Sequence, residues 1–347
     1  MSLKSFILSL IVPLFGVVAA LGFVEIGFRL LLPASSSTTP AWSDRPTFYF
    51  AAPTVPSMQD FPYQVPKPPS TFRVAVVGDS FTFAPYMQLT DTFPKKLEQM
   101  LTINKAPLRA EVINYGVPAY STSHEVSVVQ RAIDEGADLV ILQITLNDPE
   151  VKAHRPTGIL ENALDRFAPK QPTGAIAWLA RHWRTLGFAL TRFYNSASHQ
   201  AYIDYFNDLY DNPRSWKPFT QAMSTISKTT QERKVPLVAV VFPLFGIAMN
   251  AHYPFYPVHE KINALLTSLT VAHIDLSSIY AGIPLERLQV IPGVDRHPNE
   301  IAHRMAAERL YLWLEEQKLL PNELLIQDKF ATRLGTQDQR RWNPAQP

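Results

Sequence analysis

Hydrophobic and polar positions divide the chain into stretches with different rhythms. From Ser5 to Val24 no residue carries a charge, and apolar character continues to Leu32. That is about the length of roughly 20 residues that a helix needs to cross a bilayer. Lys4 stands before the run. Glu25 and Arg29 stand after it, four apart, so they can meet on one helical face. A basic residue on the amino side favours a cytoplasmic amino terminus, with the rest of the chain across the membrane. Residues 1–32 are therefore expected to form a transmembrane signal-anchor. One alternative is a signal peptide cut near Ala19-Ala20, although the apolar pattern runs past that point. The other is a buried core helix.

Residues 33–70 carry nine prolines among serines and threonines and read as an extended spacer. Trp42, Phe48, Tyr49, Phe50, Phe61 and Tyr63 predict that part of it packs along a domain surface. An alternation of strands and helices follows. Strands are predicted over 72–77, 111–115, 139–145, 235–242 and 271–276, and helices over 93–101, 123–135 and 299–317, the last opened by Pro298. Leu139 to Thr145 is almost unbroken in its apolar character, as when both faces of a strand are covered. The pattern predicts a parallel sheet with right-handed crossovers.

Residues 150–234 interrupt that rhythm and are too long for a plain crossover. Ile176, Leu179, Trp183, Leu186 and Leu190 fall on one helical stripe, with Arg181, Arg184 and Arg192 largely elsewhere. Tyr202, Tyr205, Phe206 and Tyr210 follow. The stretch reads as a helical insert that covers the domain, or as a lid against the membrane or a substrate groove. Residues 71–320 are expected to form the catalytic domain, and 321–347 a peripheral tail.

Composition narrows the chemistry. The 347 residues, 46% hydrophobic, can bury a sizeable core, and a net charge of +2 gives no sign of nucleic-acid binding. The absence of cysteine excludes disulfides, thiolate nucleophiles, zinc–thiolate sites and a lipidated cysteine anchor. His124, His154, His182, His199, His252, His259 and His273 show no metal-ligand spacing, so no metal and no cofactor is expected.

The residues at the strand ends suit acyl-transfer chemistry. It needs a nucleophile, a base, a group that orients the base, and donors for an oxyanion. Val74-Ala-Val-Val-Gly-Asp-Ser80 places a serine at the carboxyl edge of the first strand. Gly116 follows the second strand and Asn147 the third, and Asp295-Arg296-His297-Pro298-Asn299 precedes the last helix. In a doubly wound sheet these places converge on one crevice. Ser80 is the candidate nucleophile, His297 the base and Asp295 its orienting acid. The Ser80 and Gly116 backbone N–H groups and the Asn147 amide are the candidate oxyanion donors. Asp79 is expected to brace the turn, Asp148 to cap a strand end, Asp275 to be structural and His303 to pack.

Gly78-Asp79-Ser80-Phe81, Gly116, Asn147-Asp148 and Asp295 with His297-Pro298-Asn299 together resemble the blocks of the SGNH, or GDSL-type, hydrolase superfamily. The resemblance covers about residues 72–149 and 235–315. It implies a flavodoxin-like three-layer α/β/α fold and a metal-free esterase, deacetylase or acyltransferase. Two positions depart from the pattern. Thr145 stands where a glycine is usual, and Asp295 lies two rather than three residues before the histidine. Either Asp295 or a backbone carbonyl then orients His297. The expected function is a serine ester hydrolase outside the cytoplasmic membrane, on the periplasmic side, acting on an acylated carbohydrate or lipid ester. One alternative is an O-acyltransferase to a cell-surface polysaccharide with a multi-span membrane partner. The other is a non-catalytic accessory subunit of a membrane complex.

Overall fold

The computed structural model describes residues 3–31, 60–103, 107–151, 173–292 and 295–325. The chain divides into two compact units. One comprises 1–46 with 164–204, the other 47–163 with 205–347.

The larger unit is built on the apolar runs. β1 (Thr71–Gly78), β2 (Arg109–Gly116), β3 (Leu139–Ile144), β4 (Leu237–Val241) and β5 (Ala272–Asp275) form one parallel sheet in the order β2-β1-β3-β4-β5. That is the doubly wound 2-1-3-4-5 order, with its switch point between β1 and β3. Val74 to Val77 and Leu139 to Leu142 are fully buried, which explains why their sequences are apolar without alternation. Helices flank the sheet. α3 (Phe93–Leu101) packs against the last helix, Glu300–Glu316, and α4 (Thr122–Asp134) packs against the crossover helix Pro213–Glu232. The chain is thus an α/β protein with a central five-stranded parallel sheet.

Three features differ from the sequence expectation. The Pro213–Glu232 helix lies inside the stretch read as an insert, yet it supplies the ordinary β3-to-β4 crossover. The helix Tyr256–Ser268 was not anticipated. Gln289–Ile291 and Asp295–Pro298 form a small antiparallel hairpin just before the last helix. Runs of three and four residues are too short to show a period.

Of the spacer, only residues 60–70 are described; they belong to the larger unit, where Tyr63 packs as predicted and Phe61 stays 55% exposed. The Tyr63 hydroxyl donates to Glu135 at 2.6 Å and its ring meets Tyr115 edge-on. Buried Arg73 pairs with Glu111 at 2.9 Å and also donates to the Gln64 and Glu135 carbonyls, so its burial is compensated. Trp42, Phe48, Tyr49 and Phe50, and the tail beyond Leu325, lie outside the described residues.

The smaller unit holds α1 (Leu3–Leu31), α5 (Gly174–His182) and the greater part of α6 (Arg184–Asp211). The side chains of residues 3–11 and of Leu14 lie outside the description. Among the described residues no helix is long and apolar enough to cross a membrane. The stripe Ile176 to Leu190 is not one continuous helix, because Trp183 adopts extended angles between α5 and α6. Gly187 allows the corner to close: a Cβ there would stand 2.6 Å from the Ala180 carbonyl oxygen. Phe206 and Tyr210, on the last turns of α6, belong to the larger unit and are buried there against Phe255 and Phe219. Those two rings are part of the core.

Candidate active site

The site starts where β1 runs out. Gly78 ends the strand, Asp79 caps a one-turn helix, α2 (Ser80–Phe83), and Ser80 is its first residue. The Asp79 carboxylate accepts the Phe81 N–H at 2.9 Å. Gln143, on β3, accepts the Asp79 N–H at 3.2 Å and the Thr82 hydroxyl at 2.8 Å with the same oxygen. Gly78 is required by that network, since a Cβ there would lie 2.3 Å from both Gln143 Oε1 and Thr82 Oγ1. The serine is therefore held on a rigid turn at the carboxyl edge of the sheet.

The hairpin before the last helix brings the base. The last helix, Glu300–Glu316, is capped by Asn299, whose side-chain oxygen accepts the Ile301 and Ala302 N–H groups. The Asn299 amide nitrogen donates to the Arg287 and Gln289 carbonyls, which ties the hairpin to the helix start. On this frame His297 Nε2 lies 2.8 Å from Ser80 Oγ, and His297 Nδ1 lies 2.7 Å from Asp295 Oδ1. A carboxylate can only accept, so Nδ1 carries the proton and Nε2 faces the hydroxyl as an acceptor. Phe81 packs against the imidazole, with ring centroids 5.6 Å apart.

The two-residue spacing of acid and base has a local explanation. Residues i and i+2 of a strand share a face, and 295–298 are a strand. Asp295 Oδ1 also accepts the His297 backbone N–H at 2.9 Å. One oxygen thus fixes both the backbone and the ring of the histidine, and no carbonyl is needed to orient it.

The three candidate oxyanion donors differ in their present engagements. Ser80 N–H belongs to the first residue of a helix, where no i−4 carbonyl exists. The Asn147 amide donates one bond to Asp79 Oδ2 at 3.1 Å, which aims the side chain toward the serine turn and leaves its second hydrogen. Gly116 N–H is held by the Asn114 side-chain oxygen at 2.9 Å. A Cβ on Gly116 would meet Phe83 N at 2.3 Å and Thr82 C at 2.7 Å. Its glycine character is therefore demanded first by the close approach of α2 to the end of β2.

Charge at the site is set by burial against pairing. Burial opposes ionisation of Asp295, but facing His297 and accepting its two N–H groups pull its pKa below the usual carboxylate value. Burial works against protonated His297, yet Asp295, and more weakly Asp79, push its pKa above the ordinary 6.5. His297 keeps 28% of its side chain exposed, so a substrate can reach it. Burial raises Asp79, although the Phe81 N–H, the Asn147 amide and His297 oppose that rise. Behind it lie two carboxyls pushed well above their usual range, Asp148 and Glu125, each by burial first and then by neighbouring acids. Asp148 accepts the Thr145 N–H and the Thr122 hydroxyl, bracing the turn after β3. Thr145, in the place of the usual glycine, takes a hydrogen bond from Gln143. Glu125 is fully buried with neither carboxyl oxygen bonded, and sequence reasoning missed it.

The remaining polar candidates fall outside this array. Asp275 pairs with buried His259 at 2.7 Å and accepts the Ser277 N–H, a structural arrangement at the end of β5. His303 is buried, accepts the Phe93 N–H and stacks on that ring; burial drives its pKa down to about 3. Among the described residues no group of three or more His, Asp or Glu side chains is arranged to hold a metal ion.

No protein-family model matches the chain, and no curated protein does. Solved structures similar to it include TesA, at 12% identity and a TM-score of 0.42, over 70% of this chain and 98% of that one. The acetyl xylan esterase AlAXEase is similar at 13% identity and a TM-score of 0.42, over 70% and 100%. A catalytic mutant of Axe2, an acetylxylan esterase from Geobacillus stearothermophilus, is similar at 12% identity and a TM-score of 0.42, over 71% and 93%. At such identities and scores these likenesses say nothing of activity, which has to be argued from the geometry.

Proposed function

We propose that the protein is a serine-dependent carboxylic ester hydrolase. The observation that carries this reading is the linear array Ser80–His297–Asp295, with contacts of 2.8 and 2.7 Å, at the carboxyl edge of a parallel sheet. Ser80 Oγ attacks the ester carbonyl while His297 Nε2 takes its proton. The imidazolium is stabilised by Asp295, which keeps its charge. The oxyanion lies against Ser80 N–H and the second hydrogen of the Asn147 amide. Gly116 N–H joins them where it is shared with, or released by, Asn114. His297 then returns the proton to the departing alkoxide, leaving an acyl group on Ser80. A water molecule gives a proton to Nε2 and attacks the acyl carbon, and His297 returns that proton to Ser80 Oγ as the acyl–oxygen bond breaks and the acid leaves.

An intact, hydrogen-bonded array supports a working site over a retired one, since an accessory subunit has no use for an aligned base. The uncharged run from Ser5 to Val24 supports a single-pass anchor, with the larger unit on the extracytoplasmic side. An acyl ester of a cell-envelope carbohydrate or lipid is the substrate class this placement favours.

The test uses the full chain in detergent with a short-chain nitrophenyl ester. Ester hydrolysis and labelling by a fluorophosphonate are expected, both abolished by Ser80→Ala. Hydrolysis that survives this substitution unchanged removes Ser80 from the reaction.

A further inference from the structure

Within the smaller unit, the corner between α5 and α6 is fastened to the end of α1. The Glu25 carboxylate accepts the Arg184 and Thr185 backbone N–H groups at 2.9 and 2.8 Å and the Thr185 hydroxyl at 2.7 Å. Arg29 reaches across to the His182 carbonyl at 2.9 Å, and Phe28 meets Phe188 edge-on, with centroids 5.3 Å apart. Glu25 and Arg29 are the first charges after the apolar run, so the corner sits at the level where that run ends.

Around the corner, large apolar side chains face outward. Ile176 and Trp178 are each 54% exposed and Phe193 is 64% exposed. On α1, within the same unit, Phe23, Leu30 and Leu31 are exposed as well. The charge is one-sided. From 173 to 203 the chain has three arginines, Arg181, Arg184 and Arg192, and no acidic residue. The Arg192 guanidinium lies 5.8 Å from the centre of the Phe188 ring. Trp178 stacks on His182 with centroids 4.4 Å apart. Exposed tryptophan and phenylalanine beside arginine, on a segment with no acidic residue of its own and with the Glu25 carboxylate engaged in capping, suit one environment. The rings settle at headgroup depth and the guanidinium groups pair with lipid phosphates. A protein partner would have to supply both an apolar face and a matching acidic rim.

We propose that α5 and the first turns of α6 lie in the headgroup region of an anionic lipid bilayer, on the side where α1 ends. The inference rests on the anchoring reading, which sets the depth of α1. It gives these helices a role as a membrane-facing collar that limits tilting of the anchor.

The chain has no cysteine, so single-cysteine variants report one position each. Ile176→Cys and Phe193→Cys test the collar. Leu21→Cys tests the anchor separately, and Lys228→Cys, where the lysine side chain is 77% exposed, is the aqueous control. Each full-length variant is placed in lipid nanodiscs containing phosphatidylglycerol and treated with a water-soluble maleimide. Positions 176 and 193 are expected to react about tenfold more slowly than position 228, and a fluorophore at either to be quenched by brominated lipid. Adding Arg181→Glu and Arg192→Glu should speed labelling at 176 in anionic but not in zwitterionic discs. Labelling at 176 and 193 as fast as at 228 overturns the collar, whatever position 21 does. Slow labelling without lipid quenching overturns it too, because protein then covers the face. Fast labelling at 21 alone removes the anchor, and leaves the collar to be judged on positions 176 and 193.

Discussion

Gly116→Ala separates the packing role of this glycine from its role as a hydrogen-bond donor. The added methyl would stand 2.3 Å from Phe83 N, 2.7 Å from Thr82 C and 2.9 Å from Phe83 Cα, all of them backbone atoms of α2. Gly116 cannot retreat easily. It lies opposite Gly78 in the β1–β2 ladder, and the next residue, Val117, donates to the Gly78 carbonyl at 3.0 Å. The 2.3 Å contact is about 1 Å short of ordinary van der Waals distance, so α2 has to move by about that much. Ser80 is the first residue of this single turn and moves with it. Its 2.8 Å contact with His297 then passes beyond the window of about 2.6–3.2 Å that general-base transfer needs. A misplacement of ~1 Å costs on the order of 100-fold in rate, or about 2.7 kcal/mol in the barrier. Overpacking itself should take about 1–3 kcal/mol from stability. The assay is kcat on a nitrophenyl ester, with a thermal melt of the same preparation. The backbone N–H survives the substitution, so the loss reports geometry. A variant that keeps kcat within about threefold of the parent while melting normally would refute the reasoning.

Two further outcomes follow from the charges. Asp295→Asn removes the main influence raising the pKa of His297 and leaves the burial that lowers it, so the acid limb of kcat/KM should move from above pH 6.5 to lower pH. The plateau should also drop, by ~10⁴-fold if loss of the histidine tautomer costs what it does in serine proteases; an acid limb that stays put would show that Asp295 does not set the base. Glu125→Leu concerns stability. The folded state holds the Glu125 proton well above the ordinary 4.5, whereas the unfolded chain loses it there, so the parent loses stability as pH rises from 4.5 toward the folded pKa. Each pH unit in that window costs about 1.4 kcal/mol, and leucine removes the cost. The melting temperature of the variant relative to the parent should therefore climb as pH rises above about 4.5. A gap that stays constant or shrinks counts against an unpaired buried carboxyl.

The parts of the molecule legible in the sequence are those whose physics is local. Phe93 to Leu101 is helical as its apolar spacing requires, and the apolar runs of β1 and β3 are strands because a strand covered on both faces needs no alternation. Ser80 and Asn147 could be placed because each follows a recognisable strand, and Asp295 and His297 because they stand just before the last predicted helix; a doubly wound sheet sends such places to one edge. What escaped depends on contacts between distant segments. The sequence leaves the Gly116 N–H open, and only the folded turn presents the Asn114 oxygen to it. The stripe from Ile176 to Leu190 looks continuous in projection. The break at Trp183 is fixed by Glu25, some 159 residues away, capping the start of α6. Glu125 looks like an ordinary polar residue in the first turn of a helix, and its burial follows from tertiary packing alone.

The buried acids bear on how the site can hold an oxyanion at all. A full negative charge on each of Asp79, Asp148 and Glu125 would oppose any anion formed on the Ser80 side of the turn, most strongly where water is excluded. Burial pushes all three toward the protonated form, and the charge of any one raises the pKa of its neighbours, as it does for Asp148 and Glu125. Asp295 is the acid that goes the other way, because it faces His297. Environment separates the acids: pairing with His297 favours charge on Asp295 where an imidazolium forms, while burial works against charge on Asp79, Asp148 and Glu125 beneath the donors. In either protonation state a carboxyl oxygen can accept a hydrogen bond, so Asp79 keeps the Asn147 amide aimed and Asp148 holds the Thr145 turn. On this account the polar network under the serine does more than brace the fold. It fixes the donor directions, and its burial disfavours the charge that would work against them.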